Sequence, residues 1–494
     1  MKKPADLPAL NVSTRPRSLA VLSAGFSVLI AYAIYAAVLT FLKHLPGFGA
    51  YAVAVSCAVS IVLLGLVAYS RSAISSLGGR VGSRFLAIND PQWLTLCFVL
   101  GATLRCLTLT HCIPQQTSDF ATYFGLAWGL AFDHIYAIAD TRAYWPPGLP
   151  LELAPFVWML GKHWAAPVVN NIFLLGLVLA ITMKLGRRIV GRRGARVATL
   201  AVALWPNLIF AVGLADKQQL TMVLVASALY LYLRARDLPA SQNTWRIFLV
   251  AGLCLGGAIL TQPSHLLFPG ALVLLELCCA TPLRQLVSRV LPVIFGIFLS
   301  VSPWTVRNYL VLDRFVPVSN TGGISLYVGN NPDATGSYVA VSGLEGLDEV
   351  GANLEAGRRA VAWIRANPLA FAALVVPKNI AYLGDDSDGP FWSLKSGCGR
   401  TGVDYVLAKT ISNLFWLALL LVVFASSLPG RERERSSDPA GSAVLILWFL
   451  YFFALHSVFE SGGRHHVAPA LGLIILASRL VERDTSQSFK SLSG

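Results

Sequence analysis

Asp119 and Tyr123, within the run Gln115-Gln116-Thr117-Ser118-Asp119-Phe120-Ala121-Thr122-Tyr123, have the types and spacing best suited to chemistry in this sequence. On a helix the two side chains lie one turn apart on the same face. A carboxylate held there can take a proton from a hydroxyl group. Asp119 also stands where a helix would start, so an N-cap that accepts backbone N–H groups is the competing structural reading. Cations are the second ingredient: Lys217 beside Asp216, Arg307, and Arg464 followed by His465 and His466. Fixed cations lower a barrier most when they meet charge that develops in the transition state. The bland alternatives are interfacial snorkelling for Arg307 and Lys217, an Asp216–Lys217 pair, and an N-cap role for Asp216. His456, Glu460, His465 and His466 cluster around one turn, but their spacing matches no zinc motif, and the expectation is no metal and no cofactor. Gly329-Asn330-Asn331-Pro332 is most simply a turn.

The elements that hold these residues are membrane helices. The chain has 494 residues, of which 13% are charged and 55% hydrophobic, and its mean hydropathy is +0.63. A soluble domain carries about 25% charged residues. The net charge of +14 is spread in short clusters between apolar runs, which excludes a basic nucleic-acid domain. A span needs about 20 apolar residues. Candidates fall at 18–42, 51–69, 92–112, 165–185, 197–215, 217–234, 247–263, 265–281, 290–307, 407–428, 440–459 and 465–481, the weakest being 265–281, with Glu276, and the short 465–481. Twelve spans put both termini on one side. With the N-terminus inside, the inner segments collect Arg71, Arg80 and Arg84, then Arg187, Arg188, Arg192, Arg193 and Arg196, then Arg234, Arg236 and Arg246, then Arg284 and Arg289, then Arg431, Arg433 and Arg435. That satisfies the positive-inside rule. The run 18–42 is too long for a signal-peptide core and is expected to remain as the first span.

Tyr144 to Gly161 contains four prolines, Pro146, Pro147, Pro150 and Pro155, and is expected to lie in the interface rather than span. Two long segments, 113–164 and 308–406, then face outward. The second is expected to hold helix from 352 to 383, broken at Pro368 and Pro377. The inner loops are short and carry no P-loop or dinucleotide fingerprint, so an activated substrate would arrive through the membrane. Of the eight cysteines only Cys112 and Cys398 could meet on the outer side; the others sit in apolar runs.

The succession Arg105, Ser118-Asp119 with Tyr123, Tyr144-Trp145-Pro146-Pro147-Gly148, Asn170-Asn171 and Gly186-Arg187-Arg188 resembles the GT-C glycosyltransferases. The likeness is to bacterial members of the protein-O-mannosyltransferase and aminoarabinose-transferase group (family 39-like). Pro303-Trp304-Thr305-Val306-Arg307-Asn308, Gly329-Asn330-Asn331-Pro332 and Arg464-His465-His466 with Pro469 extend it, so that it covers roughly 92–481. It implies an all-α polytopic membrane fold of GT-C type, with about 12 membrane helices, juxtamembrane helices in the first outer loop and a long second outer loop. The division implied is 1–91 as an N-terminal segment with two additional spans, 92–481 as the catalytic unit, and 482–494 as an inner tail.

The activity implied is inverting transfer of a sugar from a polyprenyl-phosphate donor to an acceptor hydroxyl outside the cytoplasm. Asp119 would be the base; Arg464 first, with Arg307, Lys217 and His465, would bind the donor phosphate; Tyr123, Asp216 and Asn331 would contact acceptor or sugar. Many relatives have a second acid where this chain has Phe120. The partners expected are a lipid-linked donor, an acceptor of unknown class and the membrane, with no nucleic acid. The location expected is a bacterial inner membrane with both termini cytoplasmic. Arg105 lies mid-span and needs a carboxylate, carbonyl or phosphate partner. Two other readings stay open: a transporter or lipid flippase, and a ligase or polymerase using a polyprenyl-diphosphate glycan.

Overall fold

The computed structural model describes residues 17–43, 51–84, 88–239, 243–428 and 438–481. Lys2, Lys3 and Arg15, the run with Arg431, Arg433 and Arg435, and the tail 482–494 lie outside the described residues. In chain order the helices are α1 (Arg17–Lys43), α2 (Ala52–Arg84), α3 (Asp90–His111), α4 (Ser118–Trp128), α5 (Gly148–Leu160), α6 (Ala165–Ala203), α7 (Pro206–Phe210) and α8 (Gln218–Asp237). They continue as α9 (Thr244–Thr261), α10 (Pro269–Cys278), α11 (Leu283–Leu312), α12 (Gly322–Gly329), α13 (Glu349–Ala366), α14 (Pro368–Gly384) and the single turn α15 (Asp388–Pro390). The last are α16 (Val403–Ser427), α17 (Pro439–Val458) and α18 (Val467–Ala477). Among the described residues there is no strand, only an isolated bridge between Ile138 and Thr141.

Eight of these helices are long and apolar enough to cross a membrane, or nine if the bent pair α13 and α14 counts as one span. The chain is thus a multi-pass integral membrane protein. The other expected spans are realised differently, and proline is the usual cause. The 197–215 stretch forms the second limb of α6 beyond a break at Gly191 (φ 82°), then stops before Pro206 and restarts as α7. Segment 265–281 yields only the ten-residue α10, which follows a short turn at Pro263–His265. Segment 465–481 becomes α18 and a closing turn at Ser478–Val481. Residues 217–234 form α8, whose last turn carries Arg234 and Arg236.

Glu276, the acid that weakens α10 as a span, is fully buried and fully partnered. It pairs with Arg236 at 2.8 Å and Arg289 at 2.7 Å and accepts from Tyr232 at 2.8 Å and Thr281 at 2.6 Å. Arg105 is buried in α3 and donates to the carbonyls of Gly101 at 3.1 Å and Ala203 at 3.2 Å, the second freed where α6 ends. α9 and α11 cross at small residues. A Cβ on Gly252 would lie 2.1 Å from the Val293 carbonyl and one on Gly296 2.3 Å from that of Leu249, so only glycine admits this approach. α1 is built into the main core through Ile30, Ala33, Ile34 and Ala36.

The connections that frame one end of the bundle are ordered. α5 starts after Pro147, buries Leu149, Leu153 and Val157 and exposes Trp158 and Met159, as an interfacial helix would. α13 and α14 meet at 110° where Pro368 interrupts them, whereas α14 runs on through Pro377. The Cys112–Cys398 disulfide, Cα atoms 6.4 Å apart, closes the same end. Beside it the Gln115 N–H donates to Gly397 O at 3.1 Å. These ties fix the strand of chain leading into α4.

Candidate active site

Asp119 occupies the first turn of α4, but Thr117 takes the N-cap position and its side chain makes no capping bond. Thr117 instead meets Ser396 at 2.9 Å. The N-cap reading of Asp119 therefore does not hold, because the carboxylate turns away from the helix end toward Arg464, Oδ2 to Nη1 at 3.2 Å. The preceding residue, Ser118, has φ +52°, a left-handed conformation that a serine adopts only under constraint. Asp119 and Arg464 stay partly open, with side chains 27% and 36% exposed.

Arg464 lies in the turn Gly463–His465 between α17 and α18. Its second carboxylate neighbour is Glu460 at 3.6 Å. Burial alone would raise the Glu460 pKa, but His465 and Arg464 outweigh it and bring it down to about 2. Lys217, at the start of α8, donates to the Tyr123 hydroxyl at 3.3 Å and lies 5.5 Å from the ring centroid. Tyr123 is 2% exposed and packs edge-on against Trp145 at 5.5 Å. Burial raises its pKa, with Lys217 opposing. Asp216 accepts from the Gln218 N–H at 3.4 Å, and burial raises its pKa to about 6 against the pull of Lys217.

These side chains line one cleft, part of it open to solvent. Asp119, Tyr123, Asp216, Lys217 and Arg464 line it together with Phe120, Asn207, Gln218, Asp388 and Trp392. Phe120 forms a wall with Trp392, the rings 5.5 Å apart edge to face.

Three expected site residues lie elsewhere. Arg307 in α11 donates to the carbonyls of Arg142 at 2.6 Å and Tyr136 at 2.8 Å and stacks on Trp304 at 4.8 Å, so it clamps the first long loop rather than lining the cleft. Asn331 donates to Tyr327 O at 2.9 Å and accepts from Asp333 N at 2.8 Å, closing a turn. His465 faces Glu460 at 3.5 Å and stacks on His456 at 3.9 Å. Its role is to hold Glu460, one step removed from the cleft.

Sequence reasoning passed over Asp386 and Asp388. The available signal was the run Asp385-Asp386-Ser387-Asp388, three acids in four residues directly after the apolar α14. Asp386 is completely buried and accepts from Trp205 Nε1 at 2.6 Å and Asn207 Nδ2 at 2.5 Å, with His466 Nε2 at 3.4 Å. Asn207 in turn accepts from the Gly389 N–H at 2.6 Å. His466, stacked on Trp416 at 4.1 Å, directs its other nitrogen at the Tyr382 carbonyl. Both ring nitrogens thus face oxygen, Nδ1 the Tyr382 carbonyl and Nε2 the Asp386 carboxyl. Gly463 completes the join: a Cβ there would lie 1.9 Å from Asp385 O and 3.3 Å from Asp388 Oδ2. A buried polar web thus locks the loop bearing Asp388 to the turn bearing Arg464. Burial raises the Asp388 pKa to about 7, with Arg464 opposing.

Among the described residues no group of three or more His, Cys, Asp or Glu side chains is placed to hold a metal ion.

No family model and no curated protein matches the chain. Among solved structures, an Archaeoglobus fulgidus oligosaccharyltransferase in complex with zinc and sulfate is similar at TM-score 0.50 and 17% identity, over 81% of this chain and 49% of that one. ArnT from Cupriavidus metallidurans bound to undecaprenyl phosphate is similar at TM-score 0.42 and 15% identity, over 80% of this chain and 77% of that one. The chain spans about half the length of the oligosaccharyltransferase structures. The likeness to the oligosaccharyltransferase concerns the fold alone, an all-α polytopic membrane bundle.

Proposed function

We propose that this protein is an integral-membrane glycosyltransferase that moves a sugar from a polyprenyl-phosphate donor to an acceptor hydroxyl on the non-cytoplasmic side. One observation carries the reading: the Asp119 carboxylate lies 3.2 Å from Arg464 at the rim of a cleft that also holds Lys217 and Asp216. Asp119 removes the acceptor proton as the oxygen attacks the anomeric carbon from the side opposite the phosphate, which inverts that centre. Arg464 and Lys217 receive the charge that builds on the departing phosphate. Tyr123 and Asp216 orient the sugar or acceptor. No cofactor enters the scheme.

The orientation rests on charge and redox chemistry. Arg187, Arg192 and Arg196 gather around Asp90 at the far end of α3, where the positive-inside rule expects cytoplasm. The Cys112–Cys398 disulfide lies at the cleft end and suits an oxidising compartment such as a bacterial periplasm. Residues 92–481 form the catalytic unit in this reading, with α1 and α2 packed onto it and both termini in the cytoplasm of an inner-membrane protein.

The test is release of free polyprenyl phosphate by purified protein in liposomes, with sugar-loaded monophosphate and diphosphate carriers assayed side by side. Monophosphate turnover is expected, and Asp119→Asn is expected to lose about 10²–10⁴-fold in rate while unfolding at the same temperature. Full activity in that variant removes the mechanism. Turnover of the diphosphate carrier alone points to a ligase or polymerase, and movement of lipid without covalent change to a flippase.

A further inference from the structure

We propose that Asp388 is the second acid of this cleft, a carboxyl that gives its proton to the phosphate oxygen released when the sugar bond breaks. The inference rests on the glycosyltransferase reading and adds a residue to it. Asp388 lines the same cavity as Asp119, Lys217 and Arg464. Its Oδ2 lies against Gly463, the residue before Arg464, so its carboxyl is held where the arginine meets a departing anion.

The contrast with Asp386, two residues earlier, shows what the loop is built for. Asp386 is saturated by Trp205, Asn207 and His466 and holds the loop in place. The Asp388 carboxyl, presented by that same loop, accepts no hydrogen bond from any described group. The groups facing it are Asp385 and Asp386 from its own loop, Arg464 and His466 from the turn before α18, and Tyr405 from α16, where Lys409 pairs with Asp385 at 3.7 Å. Across the cleft stand Asp119, Asp216 and Lys217. Burial among these raises its pKa to about 7, so that a large share of the carboxyl keeps its proton at neutral pH. Two carboxyl groups in unlike surroundings, one paired with a cation and one not, are the arrangement in which one serves as base and the other as acid.

The step balances. Asp119 takes the acceptor proton while the acceptor oxygen uses its electron pair to form the new bond to the anomeric carbon. The old carbon–oxygen bond breaks with its electron pair on the phosphate oxygen, and that oxygen takes the Asp388 proton, so polyprenyl phosphate leaves as a monoanion. Asp119 then loses its proton to water and Asp388 regains one.

The experiment uses the full chain in liposomes, synthetic polyprenyl-phosphate hexoses and pentoses as donors, and envelope lipid extract as acceptor. Polyprenyl phosphate release is followed from about pH 5.5 to about pH 8.5. The acid must be protonated to act, so the wild-type rate is expected to fall above about pH 7, approaching tenfold per unit. Asp388→Asn is expected to be about 10²-fold slower and to lose that falling limb. Asp388→Glu, which keeps a carboxyl, is expected to restore a limb at a shifted position. Asp385→Asn, outside the cleft, removes a charge that raises the Asp388 pKa and should move the limb to lower pH without abolishing it. An Asp388→Asn enzyme with the wild-type limb or the wild-type rate overturns the proposal; so does an Asp388→Glu enzyme with an unshifted limb, if the asparagine variant does not fold. Absence of release by the wild type at every pH instead overturns the glycosyltransferase reading, and this inference falls with it.

Discussion

The two ends of α3 hold the same kinds of side chain in opposite arrangements. α3 is 22 residues long, about 33 Å at 1.5 Å per residue. At its start Asp90 pairs with Arg187, with Arg192 at 3.0 Å and with Arg196 at 2.6 Å. Nearby, Arg188 bridges Asp237 at 2.7 Å and Asp438 at 2.8 Å. Past its other end, Asp119 shares Arg464 with Glu460, while Asp216 and Asp388 face a void with no cation in bonding contact. Where acids are saturated by arginine the charges join helices. Where they are left short of partners around a cavity, they stay free to exchange a proton with a substrate or to accept a hydrogen bond from its hydroxyl groups.

The comparison predicts different kinds of damage at the two ends. The largest effect on chemistry after Asp119 itself belongs to Arg464→Ala, expected to lower turnover about 10²–10³-fold with little change in the unfolding temperature, because in the proposed scheme the group acts on charge that appears only in the transition state. A loss confined to KM would mean that Arg464 merely binds donor. At the saturated end the pattern reverses. Glu276→Ala leaves Arg236 and Arg289 without their shared acid and is expected to destabilise by about 3–5 kcal/mol, with kcat of the surviving protein near wild type. A selective drop in kcat there would break the distinction. The smallest effect is expected at Arg307→Ala. It frees the carbonyls of Tyr136 and Arg142 and loosens the first long loop, raising KM about tenfold or less with kcat held. A fall in kcat to the Arg464 level would put Arg307 back among the phosphate ligands.

Much of the site was legible in the sequence because its residues follow helix ends. Asp119 comes just after α3, Lys217 just before α8 and Arg464 between α17 and α18, and hydropathy marks such boundaries well. Arg307 and Asn331 satisfied the same rule and still lie away from the cleft, since a boundary fixes depth in the membrane but not direction around the bundle. Asp388 escaped for the complementary reason: it sits inside a loop whose course no periodicity reports.

By itself the sequence determined that apolar runs of membrane length alternate with arginine clusters, and hence that this is a polytopic helical protein with its polar chemistry in two long connections. Those properties are local, set by the cost of placing unpaired backbone and charge in hydrocarbon. Only the tertiary structure decided which charges meet. Asp119 finds Arg464 across 345 positions of chain, and Asp386 gathers Trp205, Asn207 and His466 from segments that nothing in the chain order links. Such contacts depend on how helices rotate and cross, which close packing of the whole bundle fixes and no window of sequence contains.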